Sequence, residues 1–297
     1  MPTNSLLRNA HGAFTADFPW PAPAKLNLFL HITGRRDDGY HQLQTVFQFL
    51  EFGDTLFISP RGDGKIVRAD DLPGIAPEDD LALRAARLIQ RASGCNLGAD
   101  IRIEKRIPTG AGLGGGSSDA ATTLVALNRL WNLGFTPDEL AHLGLSIGAD
   151  VPVFVRGQAA WAEGVGERLT PIALPEPWFV VLTPPVHVST AEIFSATELQ
   201  RDCTPLRADT FDLASTANVC ELVTCARYPQ VGAALAWLRR HGPARMSGTG
   251  ASVFLACPTR AEASRIAAEA SADNTLQAQA IVARGSNRSA LRDAIAR

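Results

Sequence analysis

The sequence has no excess of charge of either sign. Its 28 Lys+Arg stand against 30 Asp+Glu, a formal net charge of −2, so no global field draws it to nucleic acid or anionic lipid. Any phosphate recognition must then be local, which favours small ligands. No apolar run approaches the roughly 20 residues that cross a bilayer. Met1–Trp20 holds one early Arg and no apolar segment, so it does not read as a secretory signal. The five cysteines (Cys95, Cys203, Cys220, Cys225 and Cys257) are odd in number and lack zinc or redox spacing. Reduced thiols in a cytoplasmic protein are the expectation. Internal repeats and low-complexity tracts are also missing, which excludes solenoid and fibrous classes.

What is present is enough apolar material for a sizeable core: 46% of 297 residues, a length suited to one large or two ordinary domains. Residues 1–20 read as an extension. Ala24–Ile32 alternates polar and apolar residues and predicts a half-buried strand, followed by a turn at Gly34–Gly39. Gln44–Leu50 and Asp54–Ser59 predict two further strands. Asp80 caps a helix that ends at Gly94, and Ile101–Ile107 alternates as a strand. Helices are expected over Ser117–Asn132 and Pro137–Leu145, and the β-branched run Val151–Val155 and Ala159–Glu163 read as strands. Three prolines in Pro171–Pro177 mark the best boundary, so we expect domains at 21–170 and 171–297. The second contains a strand at Trp178–Thr183, largely helical patterning, a turn at Ser247–Ser252, a strand at Val253–Cys257, a helix at Arg260–Ala272 and a strand at Ala278–Arg284. Strands and helices mixed in both halves indicate an α+β protein.

The segment that carries chemistry is Pro108-Thr109-Gly110-Ala111-Gly112-Leu113-Gly114-Gly115-Gly116-Ser117-Ser118-Asp119, with five glycines in seven residues between a strand and a helix. Glycine admits positive φ and lets another group approach the backbone, and a helix N-terminus offers unpaired N–H groups to an anion. A tight turn alone would need one or two glycines, so five point to a phosphate cradle. Gly110–Gly115 formally matches G-x-G-x-x-G, but a dinucleotide fold needs a strand ending in an acid about 20 residues onward. Asp138 and Glu139 there open a helix instead. A P-loop needs Gly-Lys-Ser/Thr, and no Lys occurs from Arg106 to Ser118.

Pro108–Ala121 resembles the phosphate loop of the GHMP kinases, the superfamily of galactokinase, homoserine kinase and mevalonate kinase. The triple glycine before Ser-Ser-Asp is similar to one branch, whose acceptor is a cytidine diphosphate-linked methylerythritol. Pro23–Leu30, Gly34–Leu43, Gly148–Phe154 and Met246–Phe254 agree with that branch in order, so the resemblance covers about residues 23–257. It implies the two-domain GHMP kinase fold: an N-terminal domain like domain 2 of ribosomal protein S5 and a ferredoxin-like C-terminal domain. It also implies that ATP phosphorylates the 2-hydroxyl of the acceptor in the non-mevalonate route to isoprenoids.

The residues can be weighed against that chemistry. Asp150, at an expected helix-to-strand corner, is by itself a turn aspartate bonded to its own backbone; the resemblance makes it the general base. Alternation alone makes Lys25 a solvent-facing strand residue; the resemblance makes it catalytic, holding Asp150 ionised. Asn27 shares the face of Lys25 and is a candidate substrate ligand. Tyr40 and His41 could close a core edge; the resemblance has them contact cytidine, one ring stacking on the base while backbone and imidazole groups read its edge. Phe194, in Thr190–Phe194, resembles the aromatic that completes the stack, and Thr190 joins the substrate ligands. Gly248-Thr249-Gly250 would bring a second backbone stretch near the site. Mg²⁺ is expected with the nucleotide, with Ser118 as a candidate ligand and no carboxylate identified. Two other readings stay open here: a GHMP kinase for another alcohol, and a non-catalytic nucleotide sensor on the same fold.

Overall fold

The computed structural model describes residues 17–37, 39–72 and 74–296, so most of the extension expected at 1–20 lies outside them. Its last residues are core: Phe18 is 5% exposed and Trp20 is fully buried, and their rings meet edge to face. The first half is built on two long antiparallel strands, β1 (Trp20–Arg35) and β2 (His41–Arg61). The expected pair Gln44–Leu50 and Asp54–Ser59 is therefore one strand. Continuity comes from its neighbours, since β2 pairs with β1 through Leu56 and with β4 (Gly98–Glu104) from Thr55 onward. The pairing runs on through Gly53, opposite Pro23, between the two expected strands. Short β3 (Ile66–Arg68) lies parallel to β4, and β5 (Ala160–Glu163) pairs with β2 and with β6 (Arg168–Pro171), which sequence reading missed.

Four helices cover this sheet: α1 (Leu81–Ser93), α2 (Gly115–Leu130), α3 (Pro137–Leu145) and α4 (Val151–Arg156). The first three are as expected; α1 is capped by Asp80 and closed by Gly94, and α3 has a Thr136–Glu139 capping box. The strand expected at Val151–Val155 is instead α4. A short continuous apolar run does not separate a buried strand from a buried helix. Pro152 suits the first turn, Gly157 closes the helix in the left-handed region, and Val151, Val153 and Phe154 are all buried.

The half-buried reading of β1 is also corrected. Ala22 through Leu30 are all buried, because helices cover one face and a second sheet covers the other. That second sheet comprises β7 (Trp178–Thr183), β8 (Arg245–Met246), β9 (Val253–Cys257) and β10 (Gln279–Ser286), in the spatial order β10-β7-β9-β8. With α5 (Thr190–Ser195), α6 (Cys220–Arg227) and α7 (Pro229–Arg239) between β7 and β8, and α8 (Arg260–Ala272) between β9 and β10, this is the ferredoxin-like arrangement. Gly285 and Ser286 of β10 pair with Leu50 and Phe49 of β2, joining the sheets. Phe29, Leu50, Val181 and Phe254 share one buried cluster at the seam. Each such side chain contributes about 1.5–3 kcal/mol by burial, so the halves are held by apolar contact. The terminal helix α9 (Ala290–Ala296) returns Leu291 to the core of the first half.

Candidate active site

A cavity of about 600 Å³ opens where the two halves meet. One wall is the glycine-rich segment, between β4 and α2. Gly112 and Gly114 have φ of 73° and 75°, a region L-residues with a Cβ avoid. Space also demands glycine there. A Cβ on Gly112 would lie 2.5 Å from the Ser247 carbonyl oxygen and 2.7 Å from that of Gly250; on Gly114 it would lie 2.8 Å from the Phe154 ring and 3.0 Å from Lys25 Cε. Helix α2 starts without a side-chain cap, and its first backbone bond runs from Ser118 N–H to the Gly114 carbonyl at 2.8 Å. The N–H groups of Gly115, Gly116 and Ser117 precede that bond, and these three residues line the cavity. A sixteen-residue helix thus directs its positive end and unpaired donors into the space.

The Ser247–Ser252 turn of the second half clasps this segment. Ser252 N–H donates to the Ala111 carbonyl at 3.0 Å, and Ser247 Oγ donates to the Gly112 carbonyl at 3.0 Å. Asn27 N–H donates to the same Ser247 Oγ at 3.0 Å. The turn is held in its own half by Asn218, which donates to the Met246 and Gly248 carbonyls, and by Thr224, which donates to that of Thr249. Gly248-Thr249-Gly250 does reach the site, with Gly248 and Thr249 lining it.

Lys25 and Asp150 face each other across the cavity floor, with Lys25 Nζ 3.2 Å from Asp150 Oδ2. Lys25 is buried, so it is not the solvent-facing residue that alternation suggested. Between Pro23 and Lys25 the β1–β2 register shifts, the kind of irregularity that re-aims a side chain. Its ammonium also donates to Asn27 Oδ1 and, at 3.3 Å, to the Gly112 carbonyl, and sits 5.4 Å from the Phe47 ring centroid. Asn27 Nδ2 donates to Thr45 Oγ1 at 3.0 Å. Asp150 lies at a helix-to-helix corner between α3 and α4, with its side chain 32% exposed. A buried ammonium with three oxygen partners thus points at a carboxylate open to the cavity, an arrangement suited to orienting an acid–base group.

Sequence reading missed a second charged group behind the loop. Lys105 Nζ bridges Asp54 at 2.5 Å and Asp119 at 2.8 Å. Asp54 Oδ1 also accepts from the Arg106 and Ile107 N–H groups. Burial alone would lower the Lys105 ammonium, but Asp119 and Asp54 together hold it above its ordinary value. Burial pushes the Asp119 carboxyl up to about 7, with Asp54 adding to the rise and Lys105 opposing it. Asp119 Oδ1 and the fully buried Ser118 Oγ have no hydrogen-bond partner among the described residues.

At the other end, Tyr40 is 64% exposed at the β1–β2 hairpin. The His41 ring stacks on Phe194 with centroids 5.2 Å apart and planes at 25°. Burial, then Arg201 and Arg35, lower the His41 imidazole below its ordinary value. Thr190 shares a hydroxyl contact of 3.2 Å with Thr249. The cavity brings together Lys25, Asn27, Asp150, Thr190, Phe194 and most of the loop from Pro108 to Ser117. Tyr40 and His41 stand outside its lining, Leu113 turns into the seam cluster, and Ser118 is enclosed. Ser247 lay in an expected turn without a role, and the pairings Asp54–Lys105, Asn218–Gly248 and Arg201–His41 gave no sequence signal, because the partners lie 51, 30 and 160 positions apart.

Among known proteins, the family model described as the GHMP kinases N terminal domain matches residues 80–158, and that described as GHMP kinases C terminal matches 204–274. A 4-diphosphocytidyl-2-C-methyl-D-erythritol kinase of Aromatoleum aromaticum is 57% identical, over 84% of this chain and 87% of that protein. One from Nitrosococcus oceani is 54% identical, over 93% and 97%. A crystal structure of a 4-(cytidine 5'-diphospho)-2C-methyl-D-erythritol kinase superposes with a TM-score of 0.78 at 34% identity, covering 91% of this chain and 99% of that one. The mevalonate kinase of Methanococcus jannaschii, at 15% identity and a TM-score of 0.65 over 91% and 98%, shares the fold.

Proposed function

The chain belongs to the GHMP kinases, in the branch of the 4-diphosphocytidyl-2-C-methyl-D-erythritol kinases, and from that premise we propose how its own residues carry the reaction. It is an ATP-dependent phosphotransferase. It moves the γ-phosphoryl group of ATP to the 2-hydroxyl of 4-diphosphocytidyl-2-C-methyl-D-erythritol, giving the 2-phosphate and ADP, in the non-mevalonate route to isoprenoids.

The observation that carries the assignment of roles is the 3.2 Å approach of Lys25 and Asp150 beside the open first turn of α2. The acceptor oxygen attacks γ-phosphorus, the bond to the bridging oxygen of ADP breaks, and Asp150 takes the hydroxyl proton. Lys25, 3.2 Å from Asp150 Oδ2, aims it. The Gly115, Gly116 and Ser117 amides grip phosphate oxygens and stabilise charge during transfer. Tyr40, His41 and Phe194 engage the cytidine, and Asn27 and Thr190 border the acceptor. Mg²⁺ accompanies the nucleotide in this reading. Among the described residues no cluster of three or more His, Cys, Asp or Glu could hold a metal ion. The unpartnered Ser118 Oγ at the head of α2 fits a hydroxyl ligand for an ion carried mainly by phosphates, and Ser118 would hold it there. When bound, Mg²⁺ neutralises phosphate charge.

Asp150→Asn tests the assignment. ADP release with the cytidylated acceptor should fall about 10²–10⁴-fold, the usual worth of a positioned base, while the KM for ATP stays close to that of the unmodified enzyme. Near-normal turnover removes Asp150 as the base.

A further inference from the structure

The Arg201 guanidinium joins the two halves of the chain at the acceptor end. Its Nε donates to His41 Nε2 at 3.0 Å, Nη1 donates to the Leu199 carbonyl at 2.9 Å, and Nη2 donates to the carbonyls of Phe194, at 3.0 Å, and Ala196. The Phe194 and Ala196 carbonyls belong to the end of α5, where helix carbonyls lack intrahelical partners. One side chain therefore fixes both the backbone behind Phe194 and the ring stacked on it.

The bond to His41 has a chemical consequence. Arginine has five N–H donors and no acceptor, and it does not deprotonate in proteins. The imidazole nitrogen facing it must be bare, so the neutral ring carries its proton on Nδ1. Burial and the two nearby guanidinium groups, Arg201 and Arg35, favour that neutral ring. Nδ1 is thus left as a donor, pointing away from the nitrogen that Arg201 occupies. Cytosine presents a bare N3 with its O2 acceptor, whereas uracil presents N3–H. A fixed N–H donor pairs with the first and meets a second donor in the other.

We propose that Arg201 is a positioning residue that sets nucleobase choice: by donating to His41 Nε2 it fixes the proton on Nδ1, and that N–H selects a cytosine-bearing acceptor over a uracil-bearing one. The proposal rests on the reading that His41 faces the base edge. A pocket donor left unpaired on binding costs enough to separate such ligands by about 10- to 100-fold.

The test uses the full-length enzyme, with cytidine 5′-diphosphate and uridine 5′-diphosphate as inhibitors competing with the acceptor at saturating ATP. The unmodified enzyme should bind the cytidine ligand about 10- to 100-fold more tightly. Arg201→Met should bring that ratio close to one, because the ring can then exchange tautomers, with the KM for ATP unchanged. Arg201→Lys, which keeps a donor, should restore part of it. Nitrogen-15 spectra of the unmodified enzyme should show His41 protonated on Nδ1, a readout that needs no variant to fold. A ratio unchanged in Arg201→Met, with both ligands equally weakened, would overturn the proposal and leave Arg201 a loop support; so would a proton on Nε2. An unmodified enzyme that does not distinguish the two ligands would instead overturn the placement of His41 at the base.

Discussion

Substituting Gly112 by alanine perturbs the clasp between the phosphate loop and the second half, and its cost can be worked from two terms. At φ 73° an alanine pays about 1–2 kcal/mol for the left-handed conformation alone. The added methyl would lie 2.5 and 2.7 Å from the Ser247 and Gly250 carbonyl oxygens, about 1 Å inside ordinary contact distance. Both neighbours are backbone, so the loops must part. Parting them by that much breaks the bonds from Ser247 Oγ to Gly112 and from Ser252 N–H to Ala111, worth about 1 kcal/mol each. The total is about 3–4 kcal/mol, a large share of the 5–15 kcal/mol that typically holds a protein folded. Gly134→Ala supplies the control: its φ is 79° but nothing lies within 4 Å of the new Cβ, so it pays the conformational term only. Urea midpoints of the two variants, with the KM for ATP, form the assay. Gly112→Ala should be less stable than Gly134→Ala by about 2 kcal/mol and should lose ATP affinity that Gly134→Ala retains. Equal stabilities would refute the claim that the clasp positions the loop.

Two further outcomes are expected. Lys25→Met removes the ammonium from Asp150, Asn27 and Gly112; turnover should fall by at least about 10²-fold. Stability should change much less, because an unpaired acceptor costs about 1–3 kcal/mol while the burial cost of the cation disappears. ADP release measured beside a urea midpoint checks this, and an unaffected rate would return Lys25 to a packing role. The raised Asp119 carboxyl predicts a pH effect. Its folded value of about 7 lies above the 3.8 of the free side chain, so between those values the folded chain binds more proton than the unfolded one. Stability then falls as pH rises from about 4 to 7 and is level above, with a slope of at most about 1.4 kcal/mol per pH unit. Asp119→Asn should flatten the part of the profile owed to this group; an identical slope in both proteins would show that Asp119 titrates normally.

How much could be read in advance depended on where a residue's partners sit. Helix α1 was legible to the residue because its cap Asp80 and its stop Gly94 lie next to it. The phosphate loop was legible because five glycines record local backbone demands, and Gly112 and Gly114 do take up the positive φ that only glycine holds cheaply. The run Val151–Val155 misled because these five residues are all buried, and a short helix with no exposed position among them shows no amphipathic period. Lys25 looked solvent-facing because alternation assumes one wet face, and β1 has none. Its partnership with Asp150, 125 positions away, followed from the family resemblance and not from spacing. Lys105–Asp54 and Arg201–His41 span 51 and 160 positions, and nothing local to either residue announces such a pair.

The same distinction bears on how the site assembles. The anion-binding amides come from consecutive residues, yet their position is set by Ser247 and Ser252, which reach back 135 positions or more along the chain. Asn27, beside the reacting groups, donates to the same Ser247 Oγ that holds Gly112. A single hydroxyl therefore ties the strand bearing Lys25, the phosphate loop and the second half together. The acceptor end repeats the pattern, with Arg201 joining the β1–β2 hairpin to α5. Phosphate grip and acceptor recognition both draw on bonds across the seam, because Ser247 and Ser252 hold the phosphate loop and Arg201 holds His41 from the other half. That dependence accounts for polar side chains with satisfied hydrogen bonds at an otherwise apolar junction: burial holds the halves together, and the buried bonds fix their register, which is what in-line transfer requires.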